Sequence, residues 1–176
     1  MMSNVRMIGC LHLGHKSIAE HRGFDSIEAH DEYLIKNWNS IVKKRDITYI
    51  LGDVTFESKD YYFKLNLLNG RKIVVLGNHD KYKDIPELLK YVDGVAGAIK
   101  YKGFMLTHVP IHPNEVLQYR GNIHAHLHHE NTLQELSAFN NYKKEGSIEK
   151  ETLIRYHNVD AKLIDFKPKS IKDLLN

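Results

Sequence analysis

The chain has 176 residues, enough for one domain or a domain with a small appendage, and its hydrophobic fraction of 42% excludes wholesale disorder. The longest apolar runs are only a few residues, as in Ile73-Val74-Val75-Leu76, and Met1 to Arg6 contain no apolar stretch, so neither a membrane span nor a secretory signal is expected. A single cysteine, Cys10, cannot close an intrachain disulfide and points to the cytoplasm, while a net charge of +3 with no long basic stripe makes no case for nucleic-acid binding.

In chain order, strands and helices alternate without an internal repeat. Residues 5–10 read as a short strand ending in a polar turn. Asp25 with Glu28 resembles a capping box and opens a helix to about residue 44, with Ile27, Leu34, Trp38, Ile41 and Val42 on one face. A second strand, 46–51, closes on Gly52-Asp53. Ser58 is placed to cap a helix that stops at Gly70, and 71–76 is a third strand ended by Gly77. A short helix is expected near 85–91.

The rhythm then changes. Residues 95–99, 103–107 and 121–125 read as strands without long helices between them. Residues 137–150 read as a polar loop, 152–166 as a strand pair, and Pro168 precedes a closing helix capped by Ser170. Parallel units followed by a strand-rich half predict sheet packed on sheet, with helices outside.

The unusual number is 12 histidines, most of them within residues 12–30 and 108–129. Histidine is the commonest metal ligand. Residues that can bind metal recur where strands stop: Cys10-Leu11-His12, Gly52-Asp53, Gly77-Asn78-His79-Asp80, Thr107-His108, and His124-Ala125-His126-Leu127-His128. Any one of these is ordinary; Gly-Asp after a strand usually makes a turn. Together they can converge, because ligands in α/β sheets gather at the carboxyl ends of strands. The mixture of imidazole, carboxylate, carboxamide and thiol suits a pair of divalent transition metals. His126 and His128 alternate along the chain, so each metal could take one imidazole, and Asp53 is placed to bridge them.

These blocks, in this order, resemble the calcineurin-like metallophosphoesterases, whose pattern is Asp-x-His, Gly-Asp, Gly-Asn-His-Asp or -Glu, a histidine, and Gly-His-x-His. The continuation Leu13-Gly14-His15-Lys16 and the ending Tyr156-His157-Asn158-Val159 with Phe166-Lys167-Pro168 look like the small compact members of bacteria and phages. The resemblance implies a single domain over residues 1–176 with an α/β fold, a four-layer sandwich of two packed mixed β-sheets flanked by helices. It implies that Cys10 or a water, with His12 and His128, holds one metal, that Asn78, His108 and His126 hold a second, and that Asp53 bridges both. His79 would act at the leaving group, oriented by Asp80. The implied cofactors are two divalent ions, manganese first, with zinc, iron or nickel as alternatives.

Two residues depart from the pattern: Cys10 stands where the family has its first aspartate, and Ala125 where it has a glycine. The implied activity is hydrolysis of phosphodiester or phosphomonoester bonds by metal-activated water, on a small phosphate ester or nucleotide in an open site. The alternatives are a nuclease and a metal-poor, non-catalytic binding module. No membrane partner is expected, and the compartment would be a host cytoplasm for a phage-encoded chain. His15 is a candidate phosphate contact, with a plain loop histidine as the alternative, and His112 a candidate pocket residue. His124 reads as a strand residue beside the site, His129 and His157 as structural or solvated, and Trp38 as core. His21 and His30 receive no role.

Overall fold

A computed structural model describes residues 4–128 and 155–176. Four parallel strands, β1 Val5–Ile8, β2 Ile47–Leu51, β3 Arg71–Val75 and β4 Gly94–Ala96, form a first sheet in that order. Ile8, Ile50 and Val74 stand in register across it, all fully buried, as expected of parallel strands covered on both faces. Because the strands run level, the chain leaves β1, β2 and β3 at one edge. Residues 9–12, 52–53 and 76–80 emerge there together.

The second sheet contains β5 Ile99–Tyr101, β6 Phe104–Leu106, β7 Gly121–His124 and β8 Tyr156–Asn158. β5 pairs antiparallel with β6, and the remaining pairs are parallel. The buried core joins the sheets: Met7, Ile50 and Val74 belong to one cluster with Phe104, Leu106 and Ile123. Helices α1 Lys16–His21, α2 Ile27–Ile41, α3 Ile85–Leu88, α4 Pro113–Val116 and α5 Ile171–Leu175 complete the expected sandwich. The second sheet is mixed; the first is wholly parallel among its described strands, with an antiparallel bridge from Met7 to Lys169 beside β1.

Several elements differ from their expectation for local reasons. Ser26, not Asp25, caps α2, because its hydroxyl takes the Ala29 N–H at 3.0 Å. That helix stops at Ile41, since Val42 turns extended to bury its side chain. Residues 59–67 wind as a 3₁₀ helix, and α1 had no periodic signal in its six residues. The run 95–99 divides, placing Gly94–Ala96 in the first sheet and Ile99–Tyr101 in the second. In place of a strand pair within 152–166, the described part holds one strand, β8; beyond it Asp160 bridges Gly9, and Asp165 and Phe166 turn through left-handed φ of 52° and 53°. The loop expected over 137–150 and His129 lie outside the described residues.

Ser170 caps α5 in a full capping box with Asp173, as expected. Leu34 and Trp38 bury one face of α2, Val42 is buried just past its end, and the Trp38 indole donates to the Asn69 carbonyl at 3.0 Å. Trp38→Ala should therefore cost about 3–5 kcal/mol, read by urea unfolding. A loss below about 1 kcal/mol would show that the indole is not part of the core.

Candidate metal centre

The strand ends place four chemistry-bearing residues in left-handed backbone: Cys10 (φ 53°), His12 (49°), Asp53 (52°) and His126 (66°). Such conformations cost on the order of 1–3 kcal/mol each in non-glycine residues and persist only where the surroundings enforce them. Backbone hydrogen bonds continue the sheet past its last regular residues: Cys10 N–H donates to Gly52 O at 2.9 Å, and His12 N–H to Asp53 O at 3.0 Å. Gly52 and Gly77 are required by crowding. A Cβ at Gly52 would strike the His108 ring, and one at Gly77 would strike the Asp53 carboxylate. Ala125 itself does not lie in left-handed backbone, so alanine is tolerated where the family pattern has glycine.

Two buried charges fasten these turns. The Asp80 carboxylate accepts N–H groups from Asp53 (2.8 Å), Gly77 (2.8 Å) and Val54 (3.1 Å). Burial, working against those hydrogen bonds, leaves its carboxyl above the usual range. On the other side, the Arg22 guanidinium donates to the carbonyls of Cys10 (2.7 Å) and Leu11 (3.3 Å) and lies 3.4 Å from Asp160. Asp160 Oδ2 is also 3.4 Å from His128 Nδ1. Behind Arg22 stand His30, 3.0 Å away, then Asp31 and Lys64, all linked by hydrogen bonds.

The donor atoms held this way form two overlapping groups. Cys10, His12 and His128 bring ligand atoms within 4.8 Å of one another, and so do Cys10, Asp53 and His108. Asp53 Oδ2 lies between them, 3.7 Å from His12 Nε2 and 3.4 Å from His108 Nε2. His108 Nε2 is also 2.9 Å from Asn78 Oδ1 and 3.2 Å from His126 Nδ1. Ligands bound at about 2.0–2.2 Å around one cation stand roughly 3 Å apart, which is the spacing seen here. Every residue expected to bind metal thus reaches this centre.

The electrostatics fit a cation. Among the described residues neither buried ring nitrogen of His12 has a hydrogen-bond partner, a costly arrangement that a cation on one of them would partly relieve. Burial, then Arg22, pushes its pKa down to about 2, so the imidazole is neutral and available. His108 Nδ1 faces the Leu51 carbonyl at 2.8 Å, which can only accept; that nitrogen carries the proton and Nε2 turns to the cluster. Burial lowers the His108 pKa, but Asp53 outweighs it and the net direction is up; burial likewise opposes the Asp53 carboxylate, but His108 holds it below the usual range. The Cys10 thiol, fully buried, is pushed well up by burial, then Asp160 and Asp53, and its sulfur accepts the His126 N–H at 3.1 Å.

The residues expected to act on substrate divide. His79 lies at the edge of the cluster, its ring 6.0 Å from that of His12 and its N–H donating to Asp53 Oδ1 at 3.0 Å. Asp80 does not orient that ring: its hydrogen bonds go to backbone N–H groups, and the carboxylate nearest His79 Nδ1 is Glu57, at 3.8 Å. His15 stands 6.2 Å from the His12 ring, with Nδ1 accepting the Ile18 N–H to cap α1. His112 is exposed and caps α4 through Asn114 N–H, and its hydrogen bond is not to the cluster. His124 ends β7 beside the centre with a pKa lowered to about 4 by burial. Sequence reasoning missed Arg22, Asp160 and Glu57. Asp160 had a signal, since it follows the Asn158-Val159 of the recognised ending.

A two-sheet α/β sandwich thus gathers nitrogen, oxygen and sulfur donors at its strand ends, in groups that could hold metal ions. The chain belongs to the calcineurin-like phosphoesterase family, whose model matches residues 4–175. It is 35% identical over 176 residues to an uncharacterized protein of Methanocaldococcus jannaschii, covering 97% of this chain and 88% of that one. It is 43% identical over 84 residues to the Gene 66 protein of Mycobacterium phage L5, covering 45% of this chain and 41% of the phage protein. A crystal structure of a protein of unknown function from Aquifex aeolicus superposes with a TM-score of 0.69 at 25% identity, over 97% of each chain. The family, the fold and the small phage-like type agree with the sequence resemblance.

Asp80→Ala should leave three buried N–H groups without acceptors, a loss of about 3 kcal/mol or more in urea unfolding. Metal affinity, measured by titration, should fall with it although no donor atom is removed. Unchanged stability and affinity would contradict the fastening role.

Proposed function

We propose that the protein hydrolyses phosphate mono- or diesters at a binuclear centre, with manganese as the working ion. The observation that carries this reading is the position of Asp53 Oδ2, within 3.7 Å of His12 Nε2 and 3.4 Å of His108 Nε2, where one carboxylate can serve two cations. Cys10, His12 and His128 would hold one, and Asn78, His108 and His126 the other. Bound there, the cations supply Lewis-acid polarisation of the phosphoryl group and a lowered pKa for the attacking water.

The chain's own residues supply the rest. His79, at the edge of the cluster and part-exposed, is placed to give a proton to the departing oxygen or to stabilise its charge. Glu57, paired with Lys81 Nζ at 2.7 Å and 3.8 Å from His79 Nδ1, would orient that ring if the gap closed to a hydrogen bond, the role first expected of Asp80. Cys10 would hold its cation as a thiolate, which requires the buried thiol to give up its proton. Sulfur biases that site towards softer ions.

Purified protein with manganese should hydrolyse phosphate esters and stop on chelation, and Asp53→Ala should lose both ions by metal analysis. Unchanged metal content in that variant would rule out the bridge. His79→Ala should keep its metals and lose about 10²–10⁴-fold in kcat, less on esters with good leaving groups. Equal losses on good and poor leaving groups would leave only charge stabilisation. Cys10→Asp should keep two metals and shift the preferred ion towards manganese. An unchanged preference would mean that the sulfur does not bind.

A further inference from the structure

A buried polar chain behind the centre takes no part in the hydrolytic reading. His30 and Asp31, neighbours on α2, are both enclosed by the fold. His30 Nδ1 lies 2.8 Å from Asp31 Oδ1, and its Nε2 lies 3.0 Å from Arg22 Nη1. A guanidinium only donates, so Nε2 accepts from Arg22 and Nδ1 carries the proton towards Asp31. The ring is held edge-on against Phe24 and Phe166, with centroids 5.3 and 5.6 Å away.

The two charges that His30 joins grip the turn after β1 on either side of His12. Arg22 donates to the carbonyls of Cys10 and Leu11, which precede it. Asp31 Oδ2 accepts the N–H of Gly14, which follows it, at 3.0 Å and is paired with Lys64 Nζ at 2.6 Å. Arg22 also lies 3.4 Å from Asp160, whose Oδ2 faces His128 Nδ1. The chain therefore reaches Cys10, His12 and His128, the three donors of one candidate metal group. Other donors have supports of their own: His108 faces the Leu51 carbonyl, and Asp80 holds the turns of Asp53 and Gly77. Buried charge pairs are often no more stable than apolar packing, so stability alone does not account for this chain.

We propose that His30 is a positioning residue for one of the two cations, keeping Arg22 and Asp31 aligned on the turn that carries Cys10 and His12. The inference rests on the two-cation part of the proposed function and not on ester hydrolysis. Without His30, the guanidinium loses one acceptor and Asp31 loses one donor, and the turn between them is free to shift. The supports of Asn78 and His108 stay in place. His30 should therefore set the affinity of one site and leave the other as it was.

The test titrates the metal-free full chain with manganese by calorimetry, with no ester present. Wild type should show two binding steps, and His128→Ala identifies the one that belongs to the Cys10, His12 and His128 group by weakening it most. His30→Leu should weaken that same step about tenfold or more, the size usual for residues that support metal ligands, and leave the other in place. His30→Gln, whose amide can accept from Arg22 and donate to Asp31, should restore it. Melting curves show which variants fold. His30→Phe, which keeps a ring against Phe24 and Phe166, takes the place of His30→Leu if the leucine variant does not. Equal weakening of both steps, weakening of neither, or a loss that His30→Gln does not restore overturns the proposal and leaves the two-cation reading standing. Failure of both apolar variants to fold also overturns it, marking His30 as a residue of the fold alone. A single step in wild type sinks the two-cation reading instead. The positioning role then stands if that step weakens in His30→Leu and recovers in His30→Gln, and falls if it does not.

Discussion

Three backbone N–H groups converge on the buried carboxylate of Asp80, and the metal centre depends on that convergence. Gly77 lies past the end of β3, while Asp53 and Val54 lie past the end of β2. By accepting from all three, Asp80 ties two turns that the sheet alone would release into solvent. Asp53 is thereby aimed at His12 and His108, and His79 is set beside it. Arg22 does the corresponding work for the turn after β1, using the carbonyls of Cys10 and Leu11. Both anchors are charged and buried, the arrangement in which a lost partner is most costly. Three left-handed residues at one edge of the first sheet, Cys10, His12 and Asp53, are the strain these anchors sustain.

The electrostatic balance around the cluster follows from the same burial. Asp53 and Asp160 are carboxylates in a buried region that otherwise contains imidazoles and a thiol, with the Arg22 guanidinium nearby. Burial and the two carboxylates keep the Cys10 proton in place, and Asp53 raises the affinity of His108 for one. A divalent cation held by these residues would offset the carboxylates and take the place of those protons, which is why the donor set suits a metal. Asp160, close to both Arg22 and His128, links the fastening of the first turn to the orientation of the His128 imidazole.

Much of this was legible in the sequence because its signals are local. Strand ends marked by glycine, and donor residues placed directly after them, are visible without tertiary structure, so Asp53, Asn78, His108, His126 and His128 could be named and gathered. The α/β layering followed from β-branched runs alternating with the amphipathic face of Leu34, Trp38 and Val42. What the chain did not declare is long-range. Arg22 and Asp160 are 138 residues apart and look like ordinary surface charges until the fold buries them together. Asp80 was misread for a related reason: its neighbour in sequence is His79, but its hydrogen bonds go to backbone 26 and 27 residues away as well as to Gly77. The division of 95–99 between two sheets likewise has no local mark.

The most direct test of this account is a crystal structure of the manganese-loaded protein with anomalous scattering at the metal edge. Two metal peaks should flank Asp53 Oδ2, with the backbone of Cys10, His12, Asp53 and His126 still left-handed and Asp80 still bonded to Gly77, Asp53 and Val54. A single peak, an ion away from Asp53, or turns rebuilt around the metal would contradict a centre that the fold holds ready.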